Sequence, residues 1–126
     1  MKKIVSMALL ATAMLLGSTS LIADSVVAAY TCELKDGKST DDLHAINTKW
    51  LKWVRTNVNE NIESAVGTAI VGDFENFLFV DTYPDLKTWA ATQTALDSDE
   101  ASELEDMFDE VAKCTRNRLW KMDPTE

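Results

Sequence analysis

Apolar side chains recur with helical spacing in the segment that follows Lys38. They stand three or four residues apart, as on one face of a helix, at Leu43, Ile46, Trp50, Trp53, Val54 and Val58. Ser39, Thr40 and Asp42 open the segment, where short polar side chains accept the free amide hydrogens of a first turn. The pattern predicts an amphipathic helix that ends in the asparagine-rich stretch 57–61, because asparagine favours turns.

Four segments carry the β-branched and aromatic residues typical of strands. They are residues 25–34, 64–71, 76–82 and 117–122. The middle two are predicted to form a hairpin, with Gly72 in the turn between them. Along the third strand apolar residues point to both faces, Phe77 and Phe79 to one and Leu78 and Val80 to the other. Both faces of the sheet are therefore expected to be covered.

A second helical region begins after the third strand. Pro84 suits its first turn, Asp85 favours its dipole, and Trp89 is among its apolar positions. A break at 96–98 precedes a further helix, whose apolar positions are Ala101, Leu104, Phe108 and Val111. The order β-α-β-β-α-β, with a broken second helix, predicts a single ferredoxin-like α+β domain with an antiparallel four-stranded sheet.

The first 23 residues have the features of a secretory signal peptide. Lys2 and Lys3 precede an apolar core that is shorter than the ~20 residues needed to cross a bilayer, and small residues follow it. We therefore predict that residues 1–23 are removed, which leaves a domain of residues 24–126 without a membrane span. A cut after Ala29 is the alternative. The mature protein is expected to be secreted or periplasmic.

The charge balance argues against two classes of partner. The chain has 21 Asp and Glu residues against 12 Lys and Arg residues, a net charge of −9, and removal of Lys2 and Lys3 would make it more negative. Such a protein repels phosphate backbones and anionic membrane surfaces. No nucleic-acid partner is expected.

The two cysteines, Cys32 and Cys114, favour a disulfide in an oxidising compartment. A metal site is disfavoured because His44 is the only histidine and no Cys-x-x-Cys spacing is present. The acidic stretch 97–110 lacks the loop glycine and the alternating oxygen ligands of an EF-hand. Its helical periodicity places the carboxylates on a solvated face. We expect neither a metal nor a cofactor.

The stretch FLFVDTYPDLKTW combines an aromatic strand with Asp81, Tyr83, Pro84 and Trp89. Together with the element order, it resembles the dimeric α+β barrel superfamily, which includes NIPSNAP-like and antibiotic-biosynthesis-monooxygenase domains. The resemblance covers nearly the whole mature chain. It implies a homodimer in which a partner's sheet covers the second sheet face. Haem-degrading members carry a histidine on the helix after the third strand; segment 84–95 has none, so haem degradation is not expected.

The candidate site is a cavity between helices and sheet. Its expected lining is Asn47, Trp50, Phe77, Phe79, Tyr83 and Trp89. Asn47 stands on the flank of the buried helix face, where its amide either faces the cavity or caps the core with a hydrogen bond. The tryptophans either line an aromatic pocket or only pack. The spacing of Asp81 and Asp85 is too ordinary to indicate paired acid-base chemistry.

Three functions stay open. The preferred one is a non-catalytic binding or accessory domain that holds a small apolar or aromatic ligand in this cavity. The others are a cofactor-free monooxygenase and a purely structural or interaction protein. The preference rests on the scarcity of titratable groups, since the apolar elements offer only Asn47, Tyr83 and His44 as polar candidates.

Overall fold

Helices and strands alternate along residues 24–125, the part of the chain that the computed structural model describes. The elements are β1 (Val26–Leu34), α1 (Thr40–Asn57), β2 (Glu63–Thr68), β3 (Asn76–Tyr83), α2 (Leu86–Ala95), α3 (Asp99–Val111) and β4 (Ala112–Lys121). The strands form one antiparallel sheet in the order β2-β3-β1-β4. The predicted ferredoxin-like α+β fold is confirmed. The predicted signal peptide, residues 1–23, lies outside the described residues.

Helix α1 begins with a capping box. The side chain of Asp42 accepts a hydrogen bond from the backbone amide of Ser39 at 2.7 Å, and Ser39 Oγ accepts one from the amide of Asp42 at 3.4 Å. These bonds satisfy amide groups that have no partner inside the helix. The buried face of the helix carries Leu43, Ile46, Asn47, Trp50 and Val54. No helix within residues 24–125 is long and apolar enough to span a membrane.

The second helical region is divided as predicted, although it begins later. Asp85 is the N-cap of α2, and its carboxylate accepts a hydrogen bond from the amide of Thr88 at 2.6 Å. Pro84 therefore precedes the cap, and its predicted place in the first turn is wrong. Ser98 caps α3 in the same way, since its side chain accepts a hydrogen bond from the amide of Ala101.

Two strand boundaries differ from the prediction by more than one residue. Strand β2 ends at Thr68, and the β-branched residues Ile70 and Val71 that follow are 91% and 86% exposed. Strand β4 begins at Ala112, directly after α3, and not at residue 117. It pairs with β1 along its whole length, but only Ala112 is buried, because β4 is an edge strand. Because the sequence of β4 is mostly polar, a search for apolar runs does not detect the start of this strand.

The sheet has one covered and one open face. On β3, Phe77, Phe79, Asp81 and Tyr83 are buried and alternate with the less buried Leu78, Val80 and Thr82. Residues paired across neighbouring strands share a face. What we call the outer sheet face therefore consists of Val27, Ala29 and Thr31 on β1, Leu78, Val80 and Thr82 on β3, Glu63, Ala65 and Gly67 on β2, and Arg116, Arg118 and Trp120 on β4.

A disulfide joins β1 to the edge strand β4. Cys32 and Cys114 are bonded across a sequence separation of 82 residues, so the predicted bridge is confirmed. Cys32 is fully buried in the core together with Leu43, Val54 and Ile62. The bond lies where the register between β1 and β4 shifts, between Thr31 and Cys32. It therefore ties the edge strand to the core beside the irregularity in the ladder.

Removal of this disulfide should lower the free energy of unfolding by about 4 kcal/mol, because a crosslink over 82 residues restricts the unfolded chain. Urea unfolding of the wild type with and without reductant measures the effect. The variant Cys32→Ala/Cys114→Ala is the control and should match the reduced wild type. An unchanged urea midpoint after complete reduction would show that the crosslink adds no stability.

Candidate functional site

A cavity of about 450 Å³ lies between the covered face of the sheet and the helices. The sheet and α1 contribute Tyr30, Asn47, Trp50, Phe79, Asp81 and Tyr83 to its lining. The segment from α2 to α3 contributes Gln93, Leu96, Leu104, Glu105, Phe108 and Asp109, and β4 contributes Cys114 and Asn117. Both the size and the mixture of aromatic rings with a few polar groups are typical of small-molecule sites.

Four of the six residues expected from the sequence line this cavity: Asn47, Trp50, Phe79 and Tyr83. The other two lie outside the lining. Phe77 is buried in the core and packs edge to face on Phe79, with 5.0 Å between ring centres. Trp89 is half-buried on α2 and packs against the core. The alternation along β3 places Phe77 on the covered face of the sheet. Phe77 lies near the start of the strand, however, and Asp81 lies near its end.

A hydrogen-bonded group of three polar side chains connects the sheet to α1. Ser64 Oγ on β2 lies 2.5 Å from Oδ1 of Asp81 on β3 and 3.0 Å from Oδ1 of Asn47 on α1. Ser64 and Asp81 are cross-strand partners in the sheet register, which holds their side chains side by side. Asn47 and Asp81 are both buried and both line the cavity. The amide of Asn47 therefore has a structural partner as well as access to the cavity.

The single hydrogen of the Ser64 hydroxyl couples the other two groups. When the carboxyl of Asp81 is protonated, it donates to Ser64, which donates to the carbonyl oxygen of Asn47. When Asp81 is ionised, Ser64 donates to it, and the hydrogen bond to Asn47 requires the amide group to turn its NH₂ toward Ser64. The hydroxyl thus donates to only one of these two oxygens at a time.

Burial dominates the acidity of Asp81. Its side chain is only 5% exposed, and this desolvation raises its pKa from 3.8 to about 6, while the hydrogen bond from Ser64 opposes the rise. No cation offsets the charge, since the only ion pair within residues 24–125 joins Lys121 and Asp123. By contrast, hydrogen bonds from Thr88 hold the pKa of the half-buried Asp85 below its usual value.

Two tyrosines share the surroundings of Asp81. Burial, and to a smaller extent the charge of Asp81, raises the pKa of Tyr83 and of Tyr30. A hydrogen bond with Asn117 opposes the rise at Tyr30. Both phenols therefore stay protonated at neutral pH and can donate hydrogen bonds inside the cavity.

The remaining candidates lie elsewhere. His44 is exposed on α1 and does not line the cavity. Within residues 24–125 no group of three His, Cys, Asp or Glu side chains is placed to hold a metal ion. The acidic residues of the stretch 97–110 are exposed, and only Glu105 and Asp109 border the cavity.

Sequence reasoning missed Asp81 and Ser64 as parts of one site. A signal for Asp81 is present, because it stands two and four residues after Phe79 and Phe77 and so falls on the buried face of the strand. A carboxylate at such a position is unusual and indicates a functional role. Asp85, four residues later, caps α2 and does not line the cavity.

Comparison with known proteins supports the fold. No protein-family model matches the chain, and no curated protein matches it by sequence. Among solved structures, it is similar to SnoaB, a cofactor-independent oxygenase from Streptomyces nogalater, with a TM-score of 0.57, 9% identity and coverage of 82% of this chain and 97% of that one. A NIPSNAP family protein of unknown function from Agrobacterium tumefaciens has a TM-score of 0.60, 10% identity and coverage of 82% and 92%.

A third similar structure is a dimeric protein of unknown function and ferredoxin-like fold from Bacteroides fragilis. Its TM-score is 0.50 at 13% identity, and the match covers 78% of this chain and 96% of that one. The chain thus has the ferredoxin-like α+β fold of these proteins, and the resemblance seen in the sequence is confirmed at the level of the fold. At these identities the likeness shows the fold alone.

Replacement of Asp81 by Asn should stabilise the protein at neutral pH but not in acid. The pKa of Asp81 is higher in the folded protein than in the unfolded chain, so the protonated carboxyl favours the folded state. This contribution to stability is fully present below pH 3.8 and is lost as pH rises through about 6. The difference between the two pKa values corresponds to about 3 kcal/mol in the free energy of unfolding. The advantage of Asp81→Asn should therefore grow across this window.

Urea unfolding at a series of pH values measures this difference. Asp106→Asn is the matched control, because it removes the same charge from an exposed position on α3. Parallel pH profiles for Asp81→Asn and the wild type would show that the Asp81 carboxyl is not desolvated.

Proposed function

We propose that the mature chain is an exported homodimeric domain that binds a small aromatic ligand in the cavity beside Asn47 and Asp81. The observation that supports this proposal is the cavity itself, which is about 450 Å³ in volume and is lined by five aromatic rings and six polar side chains. A cavity of this size accommodates a small organic molecule. The rings of Trp50 and Phe79 supply apolar contact, and the Asn47 amide supplies a directional hydrogen bond.

The proposed homodimer forms through the outer sheet face. This face carries the half-buried Val80 at its centre, with Leu78 and Trp120 left 39% and 50% exposed. An uncovered sheet face with an apolar centre is a typical association surface, and the charged residues Glu63, Arg116 and Arg118 lie on its two edge strands. A second copy that packs its own outer sheet face on this one would be related by two-fold symmetry, the commonest arrangement of homodimers.

Export is proposed from the first 23 residues, and the disulfide is compatible with it. A cut after Ala23 agrees better with the fold than a cut after Ala29. The later cut would remove 26–29 from β1, including the buried Val26 and Ala28, which pair with both β3 and β4. Loss of these pairs from a central strand would open the sheet.

Cofactor-independent oxygenation, the activity named for SnoaB, is the second candidate function. One observation favours it: the carboxyl of Asp81, with its pKa raised to about 6 by burial, is suited to accept a proton from a bound substrate near neutral pH. Dioxygen would be the co-reactant. Consumption of dissolved oxygen during the titrations described next distinguishes an oxygenase from a binding protein.

Substitution of Asn47 should weaken ligand binding. A panel of small aromatic compounds is titrated while tryptophan fluorescence is recorded, since Trp50 lines the cavity. For any compound that binds, Asn47→Leu should reduce affinity by about tenfold, because it removes the amide but keeps the volume. It should also lower the free energy of unfolding by about 1 kcal/mol through the lost bond to Ser64.

The control for this experiment is Asn57→Leu, which removes an exposed amide near the end of the same helix. It should leave affinity unchanged. Equal affinities of Asn47→Leu and the wild type would exclude Asn47 from the site, and a panel without any binder would contradict the proposed function.

A charge on the outer sheet face should separate the protomers. Val80→Lys places an ammonium at the centre of the proposed interface, where it would be buried without a partner. Multi-angle light scattering at micromolar concentration should give a dimer for the wild type and a monomer for the variant. Ala90→Lys, on the exposed surface of α2, is the control and should remain dimeric. A monomeric wild type would contradict the proposal.

A further inference from the structure

We propose that the ligand of this cavity is a small organic cation, an aromatic amine whose ammonium group pairs with Asp81 while its ring packs against Trp50 and Phe79. The inference rests on the proposed function, since it assigns a chemical class to the ligand of the same cavity. It is carried by the charges of the lining, the position of Asp81 and the aromatic rings around it.

The lining carries charge of only one sign. The ionisable side chains that border the cavity in the described part of the chain are Asp81, Glu105, Asp109, Tyr30 and Tyr83, with no lysine, arginine or histidine among them. Asp81 is buried, so its charge is less screened than a surface charge, whereas Glu105 and Asp109 are exposed. The cavity therefore attracts a cation and repels an anion.

Asp81 lacks the partner that a buried carboxylate normally has. It is 5% exposed, and Ser64 is its only hydrogen-bond donor within residues 24–125. An ionised carboxylate accepts about four hydrogen bonds and is costly to bury without a counter-charge. An ammonium group offers three donors and the missing positive charge. Burial also raises the pKa of Asp81, which is the behaviour of a carboxylate without such a partner.

The rings around Asp81 suit a cation as well. Tyr30, Trp50, Phe79 and Tyr83 border the same cavity, and Phe79 is held edge to face by Phe108 at 5.2 Å between ring centres. The faces of aromatic rings attract an ammonium group, with tryptophan the strongest. The same rings pack against the apolar part of the ligand. A neutral aromatic molecule would gain only the second of these interactions.

The proposal gives binding a defined pH dependence. The ionisable groups that line the same cavity as Asp81 are Tyr30 from β1, Tyr83 from β3, and Glu105 and Asp109 from α3. The two tyrosines stay protonated, since burial raises the pKa of each. Affinity for an amine should therefore rise as pH increases through about 6, where Asp81 ionises, and the bound ammonium should lower the pKa of Asp81.

Three probes of similar shape test the proposal: phenethylamine, phenethyl alcohol and hydrocinnamate, which are cationic, neutral and anionic. Calorimetric titration is done at about pH 8, where the amine is protonated and Asp81 is ionised. The amine should bind at least about tenfold more tightly than the alcohol, and the anion should be the weakest. In Asp81→Asn the preference for the amine should fall to less than about twofold.

Asp106→Asn removes an exposed carboxylate from α3 and should keep the preference of the wild type. If the alcohol binds as tightly as the amine, the cationic class is wrong while aromatic binding stands. The same conclusion follows if Asp81→Asn keeps the preference for the amine. If none of the three probes binds, the proposed function fails together with this inference.

Discussion

The covered face of the sheet is the constraint on which the rest of the structure depends. Its buried residues on β1 and β3 must be shielded from water, and three helices, none longer than 18 residues, do this incompletely. The break between α2 and α3 places their residues around a space that the side chains do not fill, and this space is the cavity. A carboxylate on the covered face, Asp81, therefore lies at the wall of the cavity and not in bulk water.

The position of Asp81 sets the polar chemistry of the site. Its cross-strand partner Ser64 is held beside it by the sheet register, and Asn47 reaches the same hydroxyl from α1. Sheet and helix thus share one hydrogen-bonded group at the edge of the cavity. Because a desolvated carboxylate destabilises the folded protein when it is ionised, its presence among the buried aromatic residues of β3 indicates function more than stability.

The sequence predicts those parts of the fold that depend on local pattern. The periodic apolar positions and the capping residues of α1 identify that helix, and the turn at Gly72 identifies the hairpin. The sequence pattern places the start of β4 too late in the chain, because an edge strand needs few apolar residues. The sequence pattern also places Asn47, Trp50, Phe79 and Tyr83 in the lining of the cavity, as the structure does. The link from Asp81 to Ser64 depends on strand register, which no local pattern specifies.

The central claim is that Asp81 is a desolvated carboxyl without a cationic partner in the unliganded protein. The most direct measurement is a pH titration of its side-chain carboxyl carbon by nuclear magnetic resonance, with the Asp81→Asn variant used to assign the signal. A midpoint near pH 6 is expected from its burial. A midpoint at or below the ordinary value of 3.8 would contradict the claim, because it would show that the carboxylate is solvated or already paired.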